Sequence, residues 1–199
     1  GALLSSARQE GLLDMQECEG LNYMMQLARI FSDQSISTLP ESTGSDTIQE
    51  MVIRLLDDKE KYHCMTLIDL AGEVFRAVLL KRTGGYIDAT LQNTLDITLG
   101  YLNNDANPKV HFFVVEYGVH EREWDGYSML DYLDYMLIYL RDQKIIREST
   151  VGVYVVVTKC DKISPNPDER PELAFNYVKN KLPSFWKVLN KTCKKAGIS

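Results

Sequence analysis

Two short stretches carry residue types whose spacing suits ligand chemistry. In Thr66-Leu67-Ile68-Asp69-Leu70-Ala71-Gly72-Glu73 an apolar run delivers a carboxylate to its end, and a glycine follows three positions later. A carboxylate so placed suits magnesium, a hard cation that takes oxygen ligands. A glycine there lets a backbone N–H approach a phosphate closely, where a side chain would obstruct. In Val155-Val156-Val157-Thr158-Lys159-Cys160-Asp161 a second apolar run ends in a lysine and an aspartate. Asp161 can accept hydrogen bonds from the N1–H and exocyclic amine of guanine, a pairing adenine does not reproduce. Lys159 can lay its aliphatic stem over the base and ribose. Taken singly, each pattern also fits a strand that ends in a turn or a solvated loop.

The surrounding elements must hold these residues at strand ends. Apolar residues at three- and four-residue intervals, among them Leu21, Met24, Met25, Leu27, Ala28 and Phe31, predict a helix over residues 9–32. The Ser- and Thr-rich stretch from Ser32 to Thr47, with Pro40 and Gly44, reads as loop. Glu50 to Leu56 and Tyr62 to Leu70 read as strands joined by the charged link Asp57-Asp58-Lys59-Glu60-Lys61, an antiparallel hairpin that ends near Asp69. Helices follow around Val74 to Lys81 and Ile87 to Asn103, separated by Gly84-Gly85. Val110 to Tyr117 reads as a buried strand, and Tyr127 to Arg147 as a long helix with Leu130, Leu133, Met136, Leu137 and Leu140 on its stripe. The run from Val151 to Val157 reads as a central parallel strand covered on both faces. Glu172 to Lys195 is helical, with an interruption at Pro183. This order predicts an α/β fold of three layers, with a mostly parallel sheet and an antiparallel edge hairpin. Ligands of such sheets bind at strand carboxyl ends, where both motifs lie.

The two motifs, D-x-x-G at Asp69 and Gly72 and T-K-x-D at Thr158, Lys159 and Asp161, resemble the third and fourth signatures of the P-loop GTPases. Their order, the long helix between them and the hairpin before the first match that family as well. The segment Leu39-Pro40-Glu41-Ser42-Thr43 is similar to one that precedes the hairpin in bacterial GTPase-like proteins. The resemblance implies magnesium at Asp69 and Thr43, with Thr38 and Thr47 as alternatives to Thr43. It also implies guanine nucleotide, GTP or GDP, at Gly72, Thr158, Lys159 and Asp161. Glu73 stands where many small GTPases carry a water-orienting glutamine, and its charge beside a phosphate is unfavourable unless a cation offsets it.

The chain departs from the family in two further respects. No G-x-x-x-x-G-K-[ST] loop occurs, and that loop supplies the backbone cradle, the phosphate lysine and a magnesium-binding hydroxyl. The first strand that leads into the loop, and a last strand with an S-A-K-like base contact, have no counterparts. The expectation is one incomplete G-domain-like unit over residues 1–199. In complete form it would act as a regulatory switch that binds guanine nucleotide with magnesium and hydrolyses GTP slowly, and the 199 residues alone are expected to bind weakly and be inactive. The alternative is a nucleotide-free GTPase-like module for protein contacts, its partner undefined. A phosphoacceptor receiver domain also pairs a strand-end Asp with a later Lys. The interval from Asp69 to Lys159 and the hairpin before Asp69 fit that pattern poorly.

Bulk properties narrow the classes. A length of 199 residues with 45% hydrophobic content suits one well-buried domain. A net charge of −6, and no contiguous block of Lys and Arg, argue against a nucleic-acid surface. The longest apolar runs fall short of the roughly 20 residues that span a bilayer. Cys18, Cys64, Cys160 and Cys193 are scattered, which predicts free thiols in a reducing, cytoplasmic setting. His63, His111 and His120 have no metal-ligand spacing and read as structural.

Overall fold

The computed structural model describes residues 13–15, 25, 49–56, 59–69 and 72–198. Thr43, Thr38, Thr47 and the polar stretch around them lie outside those residues. The fold is mixed α/β, with both parallel and antiparallel strand pairing. The chain divides into two compact units, Gly1–Gly72 and Glu73–Ser199.

The first unit is built on an antiparallel sheet of β1 (Leu13–Met15), β2 (Gln49–Leu56) and β3 (Tyr62–Asp69), in that spatial order. The predicted hairpin is present in full register, from Leu56 opposite Tyr62 to Gln49 opposite Asp69. Along β3, Met65 and Leu67 are half-buried while Cys64, Thr66 and Ile68 are exposed, the period of two that a one-sided sheet imposes. The helix predicted over residues 9–32 is corrected at its start: Leu13 to Met15 are extended and pair with Leu55 to Ile53 of β2. Free backbone groups on the β2 edge offer those residues a ladder, and tertiary pairing overrides their local pattern. Met25, further along, is helical.

The second unit begins within α1 (Gly72–Thr83) and continues through α2 (Ala89–Asn103), β4 (Lys109–Glu116), α3 (Met129–Asp142), β7 (Thr150–Thr158), α4 (Arg170–Lys181) and α5 (Pro183–Lys195). A small hairpin of β5 (Glu123–Trp124) and β6 (Tyr127–Ser128) precedes α3. Its two turn residues, Asp125 and Gly126, both take positive φ, as a two-residue hairpin turn requires. Asp88 caps α2 by accepting from the Leu91 N–H at 2.8 Å, and the Ser128 hydroxyl accepts from the Asp131 N–H at the start of α3. Pro183 sits in the first turn of α5, where its missing N–H costs nothing, so α4 and α5 are separate helices.

α3 serves two cores. Met136 and Tyr139 pack with Val74, Ala77 and Val78 of α1 and Leu91 and Leu95 of α2. Leu137 faces the other way, into a cluster with Val115, Tyr177, Val178, Leu182, Phe185 and Leu189. That second cluster covers one face of a parallel pair, β4 with β7, through Phe113, Val115, Val153, Val155 and Val157.

The opposite face of the pair corrects a prediction. Phe112 is 57% exposed, Val114 64% and Tyr154 56%, with Val110 and Val156 also open. The strands were expected to be buried, β7 on both faces, because its residues are apolar without interruption. An apolar run records how greasy both faces are, not whether both are covered. On the open face Phe112 and Tyr154 stack at 5.4 Å, in register with each other.

Candidate functional site

The carboxyl ends of β4 and β7 meet at Glu116 and Thr158, which are register partners, and the Tyr117 N–H donates to the Thr158 carbonyl at 3.1 Å. Immediately after Thr158 the backbone turns sharply. Lys159 adopts the left-handed conformation, φ 57° and ψ 37°, and opens a 3-10 turn over Cys160–Lys162. A non-glycine residue in this region costs on the order of 1 kcal/mol or more, and such positions gather where a side chain has a task. The Lys162 N–H donates to the Lys159 carbonyl and the Ile163 N–H to the Cys160 carbonyl, both at 3.0 Å, and the Cys160 thiol donates to the Val157 carbonyl.

The segment after this turn is clamped to α4. Buried Ser164 donates its hydroxyl to Glu169 at 3.0 Å, the Asn166 side chain donates to the same carboxylate, and the Arg170 guanidinium donates to the carbonyls of Ser164 and Pro165. Asp161 projects from a turn held on both sides. It is exposed, and no hydrogen bond or ion pair occupies its carboxylate among the described residues.

Lys159 does have a partner. Its ammonium lies 2.5 Å from Glu116 Oε1, and Arg122 holds both oxygens of the same carboxylate. The Lys159 hydrogen bond does most to hold the Glu116 carboxyl below the ordinary glutamate value of 4.5; partial burial opposes it and Arg122 reinforces it. A carboxyl whose folded value is depressed contributes stability above its unfolded value, and loses that contribution as pH falls through the folded one. Carbon-detected NMR titration should therefore place Glu116 below the ordinary glutamate value, and Arg122→Ala should move it upward. A midpoint at the ordinary value would remove the ion cluster from the solution structure.

The loop after β4 is pinned from α4 as well. The buried Tyr177 hydroxyl accepts from the Gly118 N–H at 3.0 Å and lies 3.1 Å from His120 Nδ1, while its ring packs against Tyr117. Burial is the main influence that raises the Tyr177 phenol, which stays neutral and hydrogen-bonding at physiological pH. His111 lies 3.3 Å from the Thr150 hydroxyl, and burial lowers its pKa. His120 and His111 thus have structural partners.

The first motif is placed in the other unit. Asp69 ends β3 opposite Gln49, and Gly72 opens α1. A Cβ added at Gly72 would meet no described atom within 4 Å, and Gly72 is not among the positive-φ residues. Glu73 is half-buried in the first turn of α1. Among the described residues no group of three or more His, Cys, Asp and Glu side chains gathers as a metal site.

The sequence pointed to Thr158, Lys159 and Asp161 but not to the acid that fixes the lysine. Glu116 and Lys159 are 43 positions apart and become neighbours only through the parallel register. The one available signal was that Glu116 follows an apolar run directly, as Thr158 does. Among the described residues no helix is long and apolar enough to cross a membrane. Comparison with known proteins finds no matching protein-family model, curated protein or solved structure.

Proposed function

We propose that the chain belongs to a GTPase-like regulatory domain of the cytoplasm and that Thr158 to Asp161 recognise guanine. The observation that carries this reading is the pair of side chains at the end of β7. Asp161 offers a free carboxylate from a turn fixed by its neighbours, and Lys159 stands beside it in a left-handed conformation. With its ammonium held by Glu116, the lysine presents its aliphatic stem as a surface for the base. The carboxylate accepts from N1–H and the exocyclic amine, which selects guanine over adenine because adenine has no matching donors at that edge.

By the same resemblance Gly72 is the proposed phosphate contact, since a glycine lets its backbone N–H approach a phosphate oxygen closely. Asp69 and Thr43 are the oxygen donors proposed for magnesium, and magnesium when bound offsets phosphate charge. Glu73, in the first turn of α1, is the proposed residue for orienting water in slow GTP hydrolysis. Because the residues present lack a glycine-rich phosphate cradle, affinity in this chain is expected to be weaker than micromolar. Nitrogen-edited NMR at millimolar nucleotide tests the reading. GDP should shift the amides of Thr158 to Asp161, and ADP should leave them in place. Equal shifts with both nucleotides, or none with GDP, would end the guanine assignment.

A second reading, a GTPase-like interaction module without nucleotide, is favoured by the open apolar face of β4 and β7. Parallel strands are ordinarily covered on both sides, and an exposed apolar patch of this kind commonly marks a protein contact.

A further inference from the structure

The net charge of −6 conceals a strong asymmetry. The last 27 residues hold six lysines and no acidic residue, so the charge divides into +6 there and −12 over the rest. Four of those lysines, Lys187, Lys191, Lys194 and Lys195, line one open groove of about 720 Å³ along α5, together with Trp186 and Asn190. Their spacing returns each to one side of the helix over roughly 12 Å of its length. None of the four has a carboxylate partner among the described residues, whereas Arg82, Lys109, Arg122, Arg147 and Lys159 each have one. No contiguous block of Lys and Arg marks this face in the sequence, because the helix and not the chain order gathers these lysines.

An aromatic pair borders the row. Phe175 of α4 is 50% exposed and meets the Trp186 ring edge to face at 5.3 Å. The opposite side of α5 is already committed, with Phe185 and Leu189 buried in the core. The helix therefore cannot turn an apolar face outward, and whatever it binds must be held by charge and by the aromatic rim.

We propose that this lysine row, with Phe175 and Trp186 at its border, is a docking surface for an anionic lipid bilayer. Three observations favour a membrane over other polyanions. The patch contains lysine and no arginine, and arginine is the residue that reads phosphates of nucleic acid in a fixed geometry. Lysine is depleted at protein–protein interfaces, whereas clusters of four to eight basic side chains on an amphipathic helix suit acidic headgroups. Tryptophan with an exposed phenylalanine matches the aromatic preference of the membrane–water boundary.

Sedimentation with phosphatidylcholine vesicles, with and without about a third phosphatidylglycerol, tests the proposal. The 199-residue chain should pellet with the anionic vesicles only, and should be released as salt shortens the screening length from about 10 Å at 0.1 M to about 3 Å at 1 M. Changing all four lysines to glutamine should lower retention roughly five-hundredfold, at about fivefold per charge. Phe175→Ser should weaken it further without touching the charges. Unchanged melting of each variant by circular dichroism excludes unfolding as the cause. Equal retention on neutral vesicles, or undiminished retention of the four-lysine variant, would overturn the proposal. Binding of polyglutamate or a single-stranded oligonucleotide at concentrations where anionic vesicles fail would overturn it in favour of an acidic polypeptide or a nucleic acid.

Discussion

Replacing Asp161 with asparagine is expected to lower the preference for guanine over xanthine by roughly a hundredfold to ten-thousandfold, from two hydrogen bonds at about 1.5–3 kcal/mol each, the one lost to the guanine amine and the one gained to the xanthine carbonyl. Asparagine still offers an oxygen to N1–H, but its second group donates. It meets the guanine amine donor to donor and the xanthine carbonyl donor to acceptor. The measurement is the ratio of GDP to xanthosine diphosphate affinity, taken from NMR shifts at residues 158–161 in the parent and in Asp161→Asn. The site's geometry makes this a clean test. Asp161 is exposed and without a partner among the described residues, so the substitution should change stability by no more than about 0.5 kcal/mol. An unchanged ratio would take Asp161 out of the base contact.

The second large effect concerns the scaffold under that turn. Phe185, 1% exposed, packs edge to face on Phe113 at 5.7 Å within the cluster that supports β4 and β7. Phe185→Ala should cost about 3–5 kcal/mol, the transfer energy of the ring plus the cavity it leaves. That is a large share of the stability of a typical domain, about 5–15 kcal/mol. Phe112, next to Phe113 on β4, points to the open face. Phe112→Ala should therefore cost no more than about 1 kcal/mol. Urea denaturation of the two variants side by side measures the asymmetry. A loss at Phe112 equal to that at Phe185 would mean that the outer face is covered in solution.

How far the sequence reached depended on the range of the interaction involved. The hairpin from Gln49 to Asp69 was legible because its register is local, set by a short charged link between two runs of strand-forming residues. The helices from Gly72 to Thr83 and Ala89 to Asn103 were legible from periodicity and from the glycines between them. Leu13 to Met15 were not, because their partner strand begins more than thirty residues later and its edge, not their own pattern, makes them extended. The lysine groove was missed for a similar reason: a search for consecutive basic residues overlooks charges that a helix gathers from Lys187 to Lys195. At the candidate site the sequence named the turn residues. The Glu116 and Arg122 pair that holds Lys159, and the Tyr177 pin beneath the neighbouring loop, required the parallel register and α4 to be in place.

The open side of β4 and β7 also bears on how these molecules behave towards one another. Phe112 to Val115 and Val153 to Val157 are uncharged, proline-free windows of strong strand preference, and among the described strands each pairs only with the other. Windows of that composition recruit like windows from neighbouring chains whenever they are exposed during synthesis or after partial opening. Parallel pairing aggravates the delay, because β4 must wait for β7 across the whole crossover through α3 before the ribbon closes. Handling at high concentration or near the isoelectric point of about 5.1, where mutual repulsion vanishes, would favour self-association through these windows, and dilution with mildly alkaline buffer would oppose it.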